Sequence, residues 1–326
     1  MNNLQVVTYT SKYANDWNRF IMASKNGTFL CHRDFMEYHQ DRFQDHSFLI
    51  YNDKKLVALF PANIKNHILY SHQGLTYAGL IIGKHASLEL VFQIFQKLLE
   101  TIDTLGIEEI IIKPSPKIYH LHPSDELDYL LFKVQAELIR RDLTLSIDTG
   151  QTIDVYSSNR KRGLKKAQKN ELLIKEEQDF ELFWNQILIP NLEEKHGVEP
   201  VHTLDEIRYL KSKFPKNIRQ FNVYKDKQLV AGTTIFETVK VAHAQYISAN
   251  NTKQKLGSLD LLFHHLIHEV FASKPYFDFG VCSVNQGKQI NSGLQAWKES
   301  FGASSVSQDF YSVFPKNHHL LNHTLI

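Results

Sequence analysis

Residues 250–280 read NNTKQKLGSLDLLFHHLIHEVFASKPYFDFG. Leu259, Leu262, Phe263, Leu266, Ile267, Val270 and Phe271 recur at helical spacing and form one wide apolar face. Pro275 closes the helical region, and Tyr276–Phe279 is short, aromatic and strand-like. Ahead of the helix stand Lys253, Gln254, Lys255, Gly257 and Ser258. A helix start has unpaired N–H groups and a partial positive charge, so this turn is able to hold a phosphate. A Ser-capped helix start with two solvated lysines uses the same residues.

Working outward, Phe221–Tyr224, Leu229–Phe236 and Val241–Ala249 read as a three-strand meander leading into this stretch. Its turn is repeated within the chain: YNDKKLVA at 51–58 recurs as YKDKQLVA at 224–231. The same offset, about 170 residues, carries the long apolar helix that starts at Ser87 onto the helix at Ser258. It also brings Ile107–Lys113 near Tyr276–Phe279. Each half therefore holds a hairpin, a further strand, a long helix and a closing strand. The unit is domain-sized, so the pattern predicts a duplicated α/β (α+β) domain rather than a solenoid. The division is placed in the polar segment 149–158, giving domains 1–150 and 151–326. The tail from Lys316 to Ile326 reads as a loosely held end.

Composition excludes several classes. The 326 residues are 43% hydrophobic and 22% charged, with a formal net charge of only +2. That balance suits a globular protein and not one coated in positive charge for duplex nucleic acid, while leaving room for a local basic patch. The 17 His show no metal-ligand spacing, and neither a His-Glu-x-x-His nor a Cys-x-x-Cys motif occurs. No metal is expected. Cys31 and Cys282 are far apart, which fits a reducing compartment better than a disulfide scaffold. The N-terminus lacks a signal-peptide pattern, and no apolar run approaches the ~20 residues of a membrane span. A cytoplasmic protein is the expectation.

The order of strand, helices, meander, phosphate-facing helix and closing strand resembles the GNAT acyltransferase fold. In that family a Gln/Arg-x-x-Gly-x-Gly/Ala turn binds the acyl-CoA pyrophosphate through backbone amides. Gln254-Lys-Leu-Gly257-Ser-Leu259 is similar at its first and middle positions and departs at the last, where Leu259 replaces a small residue. Two such halves, with the basic run NRKRGLKKAQKN at 159–170 opening the second, look like the Fem-type peptidyltransferases and their acetyltransferase-like relatives. Phe277-Asp-Phe-Gly280, Asn285-Gln-Gly287, Asn291-Ser-Gly-Leu294 and Trp297-Lys298-Glu-Ser-Phe301-Gly302 carry the rest of the likeness. The resemblance implies two tandem GNAT-like domains, each a mixed, mostly antiparallel sheet flanked by helices. It also implies an acyltransferase linked to the cell envelope. Fem enzymes proper draw on aminoacyl-tRNA and often carry a coiled-coil insertion. No heptad run of that kind is present, which favours the smaller acyl-CoA-type relatives or a member of unknown donor.

Acyl transfer needs a polarised carbonyl, a deprotonated nucleophile and a held donor, and no covalent enzyme nucleophile. The resemblance assigns the donor to Lys253, Gln254, Lys255, Gly257 and Ser258. Asp278 follows the donor helix directly, and His243 and Tyr246 lie on the strand before it. These three are the candidates for proton transfer, against the alternative of outward polar side chains. Asp260 reads as an offset to the helix dipole. Arg162, Lys165, Lys166 and Lys169 share one helix face and suit a polyanion, or simply a solvated surface. Asn285 and Asn291 lie in a polar loop able to meet an acceptor. His72, Gln73 and Tyr77 lie in a polar Gly-containing loop of the first domain, which is read as acceptor recognition or as purely structural. Lys298 with Trp297 is able to meet an acyl donor or a carboxylate, and a solvated lysine is the favoured reading. The leading expectation is transfer of an acyl group, acetyl foremost, from acyl-CoA to an amine of an envelope-precursor sugar or peptide. The alternatives are an aminoacyl-tRNA-dependent peptidyltransferase and a non-catalytic polyanion-binding module.

Overall fold

The computed structural model describes residues 3–150, 157–322 and 324. In chain order its main elements are β1 (Leu4–Thr8), α1 (Ala14–Met22), β2 (Phe48–Asn52), β3 (Lys55–Phe60), β4 (Ile68–Tyr70), α2 (Leu88–Thr104), β5 (Glu109–Ile112), α3 (Glu126–Lys133), β6 (Glu137–Asp148), α4 (Ser158–Lys169), β7 (Leu173–Glu177), α5 (Ile189–His196), α6 (Leu204–Lys213), β8 (Ile218–Lys225), β9 (Gln228–Glu237), β10 (Val241–Ala249), α7 (Ser258–His265), β11 (Tyr276–Val281), α8 (Ser292–Glu299) and β12 (Ser304–Val313). Two compact units result, Met1–Asp142 with Ser307–Ile326, and Leu143–Val306. The sequence places one division after residue 150 and leaves the tail with the second half. In the structure the tail belongs to the first unit. β12 pairs antiparallel with β5, Tyr311 opposite Ile112 and Val313 opposite Ile110. Beyond it the chain forms a 3-10 turn, Pro315–Leu321, that is not a loose end. Leu321 is buried in the first core, and Asn317 Nδ2 donates to the Val134 carbonyl at 2.9 Å.

In the first unit β1, β2 and β3 form an antiparallel set, and β4 pairs in parallel with β5. Helix α2 is capped by Ser87, whose hydroxyl accepts the Leu90 N–H. It buries Val91, Phe95, Leu98, Leu99 and Ile102 against Phe60, Ile110 and Ile112. In the second unit β7, β8, β9 and β10 run as an antiparallel meander, β10 pairs in parallel with β11, and β11 pairs antiparallel with the end of β6. Its core gathers Phe263, Phe271, Phe277, Phe279 and Phe301 under α7. After His265 the helix widens into a π turn, Leu266–Val270.

The duplication seen in the sequence extends to a structural irregularity. Tyr51 and Tyr224, the first residues of the repeated octapeptide, each sit at a register shift in their hairpin. Val57 and Val230 are the residues skipped in the opposing strands, since Ile50 pairs with Ala58 and Tyr51 with Leu56, while Val223 pairs with Ala231 and Tyr224 with Leu229. A bulge bends its strand and re-aims side chains, and the same bulge recurs at the same point of both hairpins. Among the described residues no helix is long and apolar enough to cross a membrane.

Candidate functional site

The second unit's parallel ladder pairs Val241 with Tyr276, Ala242 with Phe277 and His243 with Asp278, and stops there. Two irregularities part the strands. On β11 a register shift between Asp278 and Val281 leaves an extra residue relative to β6, and Gly280 takes φ +74°. A side chain at Gly280 would be strained at that φ and would press on His243 Cε1, 3.2 Å from a built Cβ. On β10 Thr234 faces Tyr246 while Ile235 faces Ala244, so Gln245 is the extra residue. That bulge changes the alternation. Residues three apart in a regular strand point to opposite faces, but here His243 and Tyr246 fall on the same one.

His243 Nδ1 lies 2.8 Å from Asp278 Oδ2. Asp278 is 1% exposed, and its Oδ1 accepts the Gly280 N–H at 3.0 Å. The carboxylate thus fixes both the imidazole and the bulged main chain. With Nδ1 donating to the carboxylate, Nε2 is the basic nitrogen of the neutral ring. Lys298, at 2% exposure, reaches the same spot from α8, its Nζ donating to the Gly280 and Val281 carbonyls at 2.8 Å each. Burial pulls its amine down to about 8, with Asp278 opposing the shift. Tyr246 is held by a residue that the sequence does not single out. Its hydroxyl accepts the His202 N–H at 3.1 Å and lies 2.7 Å from His202 Nδ1. The Trp184 ring packs edge-on at 5.1 Å.

The turn before α7 is built differently from its expected role. Lys253–Leu256 is one helical turn, Gly257 closes it at φ +72°, and the Gly257 N–H already donates to the Lys253 carbonyl at 2.8 Å. Helix α4 lies directly on it. A Cβ at Gly257 would stand 2.1 Å from the Gly163 carbonyl oxygen, and one at Gly163 would stand 2.2 Å from Asp260 Oδ2. Ser258 is completely buried, and its Oγ has no hydrogen-bond partner among the described residues. Asp260 occupies the first turn of α7 and pairs with Arg160 Nη1 at 2.5 Å. Burial raises its carboxyl pKa and Arg160 opposes the rise.

No protein-family model and no curated protein matches the sequence. Solved structures do match its three-dimensional form. One described as FemX superposes with a TM-score of 0.69 at 10% identity, over 98% of this chain and 99% of that one. The C-terminal domain of a putative lysylphosphatidylglycerol synthetase from Agrobacterium fabrum gives 0.61 at 11% identity, over 93% and 92%. L-PGS from Bacillus licheniformis gives 0.59 at 12% identity, over 96% and 93%. The chain has the fold of these structures, a tandem GNAT-like one. Identities this low carry architecture and no chemistry.

Within the tandem GNAT-like fold, the sequence-assigned residues fall into separate groups. His243 and Asp278 come together, and Tyr246 shares their face. Gln254 and Lys255 are exposed, Lys253 is half-buried, and Gly257 and Ser258 lie under α4. Arg162, Lys165, Lys166 and Lys169 are all exposed, because α4 turns Gly163 and Ala167 inward instead. Asn291 accepts the Leu294 N–H at 2.9 Å and caps α8. Asn285 sits exposed in a left-handed hairpin turn with φ 50°. In the first unit, Gln73 exchanges two hydrogen bonds with Asn63, at 2.7 and 3.0 Å. His72 and Tyr77 are buried there. Lys298, read as solvated, is buried instead: α8 brings it against the bulge, a contact with no local sequence signal.

Proposed function

We propose that this protein is an acyl-group transferase working in the second unit, where β10 and β11 part, and that its donor is an aminoacyl ester carried on RNA. The observation that carries the choice of donor is the covered Gly257 turn under an exposed cationic helix. A pyrophosphate at that turn would have to displace α4, compete with the Lys253 carbonyl for the Gly257 N–H, and sit beside the Asp260 carboxylate. The outer face of α4 leaves Arg162, Lys165, Lys166 and Lys169 exposed to a polyanion, at the cost only of side-chain contacts such as Lys166 Nζ to the Gln254 carbonyl at 3.4 Å.

The chemistry proposed needs one base and no covalent enzyme intermediate. The acceptor amine attacks the ester carbonyl, and a C–N bond forms as the C–O bond to the ribose breaks. His243 takes the amine proton at Nε2, and the departing ribose oxygen ends as a hydroxyl by accepting it back. Asp278 holds the ring in the tautomer that leaves Nε2 basic and stabilises the imidazolium that forms. Lys298 acts through position, clamping the Gly280–Val281 main chain that shapes the opening. The amine of a cell-envelope precursor sugar or peptide is the acceptor class that the Fem-type resemblance suggests.

Two titrations test the donor. Binding of aminoacyl-tRNA that weakens steeply and linearly with log salt supports an RNA donor. A rise in melting temperature with acetyl-CoA, without salt-dependent RNA binding, would overturn that reading in favour of acyl-CoA. If neither donor binds, the fold serves as a module without transfer.

A further inference from the structure

The first unit contains the counterpart of the strand separation just described. β4 and β5 run parallel, Ile68 opposite Glu109, Leu69 opposite Ile110 and Tyr70 opposite Ile111, and the ladder ends there. The chain then leaves as a loop. The Ser71 N–H still reaches the Ile111 carbonyl at 2.8 Å, and the Ser71 Oγ accepts the Lys113 N–H at 2.8 Å. The loop rejoins where Ala78 bridges Pro114. The regular ladder thus gives out past Tyr70 and Ile111, where only the Ser71 contacts bridge the opening, as it gives out past His243 and Asp278 in the second unit.

The residues at this gap differ in character from those of the second unit, where a carboxylate is central. Lys113 Nζ donates to the Leu75 carbonyl. Ile112 faces Tyr311 across β5 and β12, which places Lys113 beside Phe310, and the Arg140 guanidinium lies 4.5 Å over the Phe310 ring. Arg140 Nη2 pairs with Asp142 Oδ2 at 2.6 Å, but its Nε is buried with no hydrogen-bond partner among the described residues. Two further buried polar atoms lack partners among the described residues: Nδ1 of His72, 2% exposed, and Oγ of Ser115, 5% exposed and two residues beyond Lys113. His72 is also held at φ +64°, in the left-handed region that non-glycine residues rarely occupy. Burial and then the nearby Arg140 bring the Lys113 amine down to about 8, and burial first, then His39 and Lys113, disfavour charge on His72. Buried polar groups are nearly always satisfied, so the Arg140 Nε and the His72 Nδ1, with the Ser115 Oγ two residues along the chain from Lys113, call for a ligand.

We propose that the first unit holds a ligand site of its own at this gap, formed by Lys113, Arg140, His72 and Ser115, and that it takes an oxyanion, either a carboxylate or a phosphoryl group. Arg140 is paired with Asp142 and Lys113 adds a second cation, so the site has net positive charge for such a group. The Arg140 Nε–H and the Ser115 hydroxyl supply donors, and His72, kept neutral, supplies a third as its Nδ1–H tautomer. The inference goes beyond the transfer reading, because binding to the first unit is measured directly and needs no donor.

The test uses the full chain with inorganic pyrophosphate and with succinate, each against sodium chloride at equal ionic strength. One of the two oxyanions should raise the melting temperature with a saturating concentration dependence, and which one identifies the ligand chemistry. Binding should weaken about tenfold or more in Lys113→Met and be unchanged in the α4 variant Lys165→Glu/Lys166→Glu/Lys169→Glu. Trace acetylation of the unmodified protein with acetic anhydride, read by mass spectrometry, avoids reliance on a variant that folds. Saturating oxyanion should protect Lys113 from labelling. The proposal is overturned if neither oxyanion exceeds the chloride control, if the effect persists in Lys113→Met or vanishes in the α4 variant, or if Lys113 labels equally with and without ligand.

Discussion

Replacing Gly257 by Ala tests whether α4 seals the turn before α7, and Gly197 provides its control. Both glycines end a helical segment in the left-handed region, Gly257 at φ +72° and Gly197 at φ +62°. Each also donates its N–H four residues back, to Lys253 and to Glu193. They differ in surroundings. Among the described residues a Cβ at Gly197 meets nothing within 4 Å, whereas one at Gly257 falls 2.1 Å from the Gly163 carbonyl oxygen and 3.3 Å from the Ala167 nitrogen. Gly197→Ala therefore carries the backbone penalty alone, about 1–2 kcal/mol. Gly257→Ala adds the cost of pushing a helix main chain outward, about 1–3 kcal/mol. Urea denaturation should place Gly257→Ala about 1–3 kcal/mol below Gly197→Ala. At roughly 2–4 °C per kcal/mol for a unit of this size, thermal melts should separate them clearly. The double variant Gly163→Ala/Gly257→Ala should deviate from additivity, because the two positions meet at one point of packing. Equal losses in the two single variants, within about 0.5 kcal/mol, would show that α4 does not rest on the turn. The argument against a pyrophosphate there would then fail.

His243→Gln should lower the transfer rate by about 10²–10⁴ while leaving the melting temperature nearly unchanged, and an unaltered rate in a labelled-acyl assay would remove His243 as the base. Asp278→Asn keeps an acceptor for the Gly280 N–H but loses the charge that orients His243. Its rate loss should match that of His243→Gln, and the double variant should lose little more. Lys298 has a folded-state pKa of about 8, below its ordinary 10.5. Between those values the unfolded chain binds the extra proton, so stability relative to Lys298→Met is level below pH 8 and rises from pH 8 towards 10.5. Denaturation midpoints at pH 7, 8, 9 and 10 measure this, and a flat difference contradicts a buried cation. For the RNA donor, Lys165→Glu/Lys166→Glu/Lys169→Glu should reduce the slope of log affinity against log salt by about 2–3, at roughly 0.7–0.9 for each phosphate no longer neutralised.

The repeated octapeptide and the periodicity of residues 250–280 fix the duplicated α/β plan, because hairpin turns and helix faces are local properties of the chain. The exposed cationic face of α4 is equally readable, since side chains three and four apart must share a face. The sequence also names His243 and Asp278, but not their meeting: thirty-five positions separate them, and only the parallel pairing of β10 with β11 puts them 2.8 Å apart. Tertiary structure alone decides four further points. The bulge at Gln245 turns Tyr246 to the side of His243, and the fold packs His202 against Tyr246. Lys298 is drawn inside by α8, and the Gly163 main chain closes the turn that a local reading leaves open to phosphate. Local spacing determines which way a side chain leaves its own element, whereas burial and proximity depend on what a distant element places opposite it.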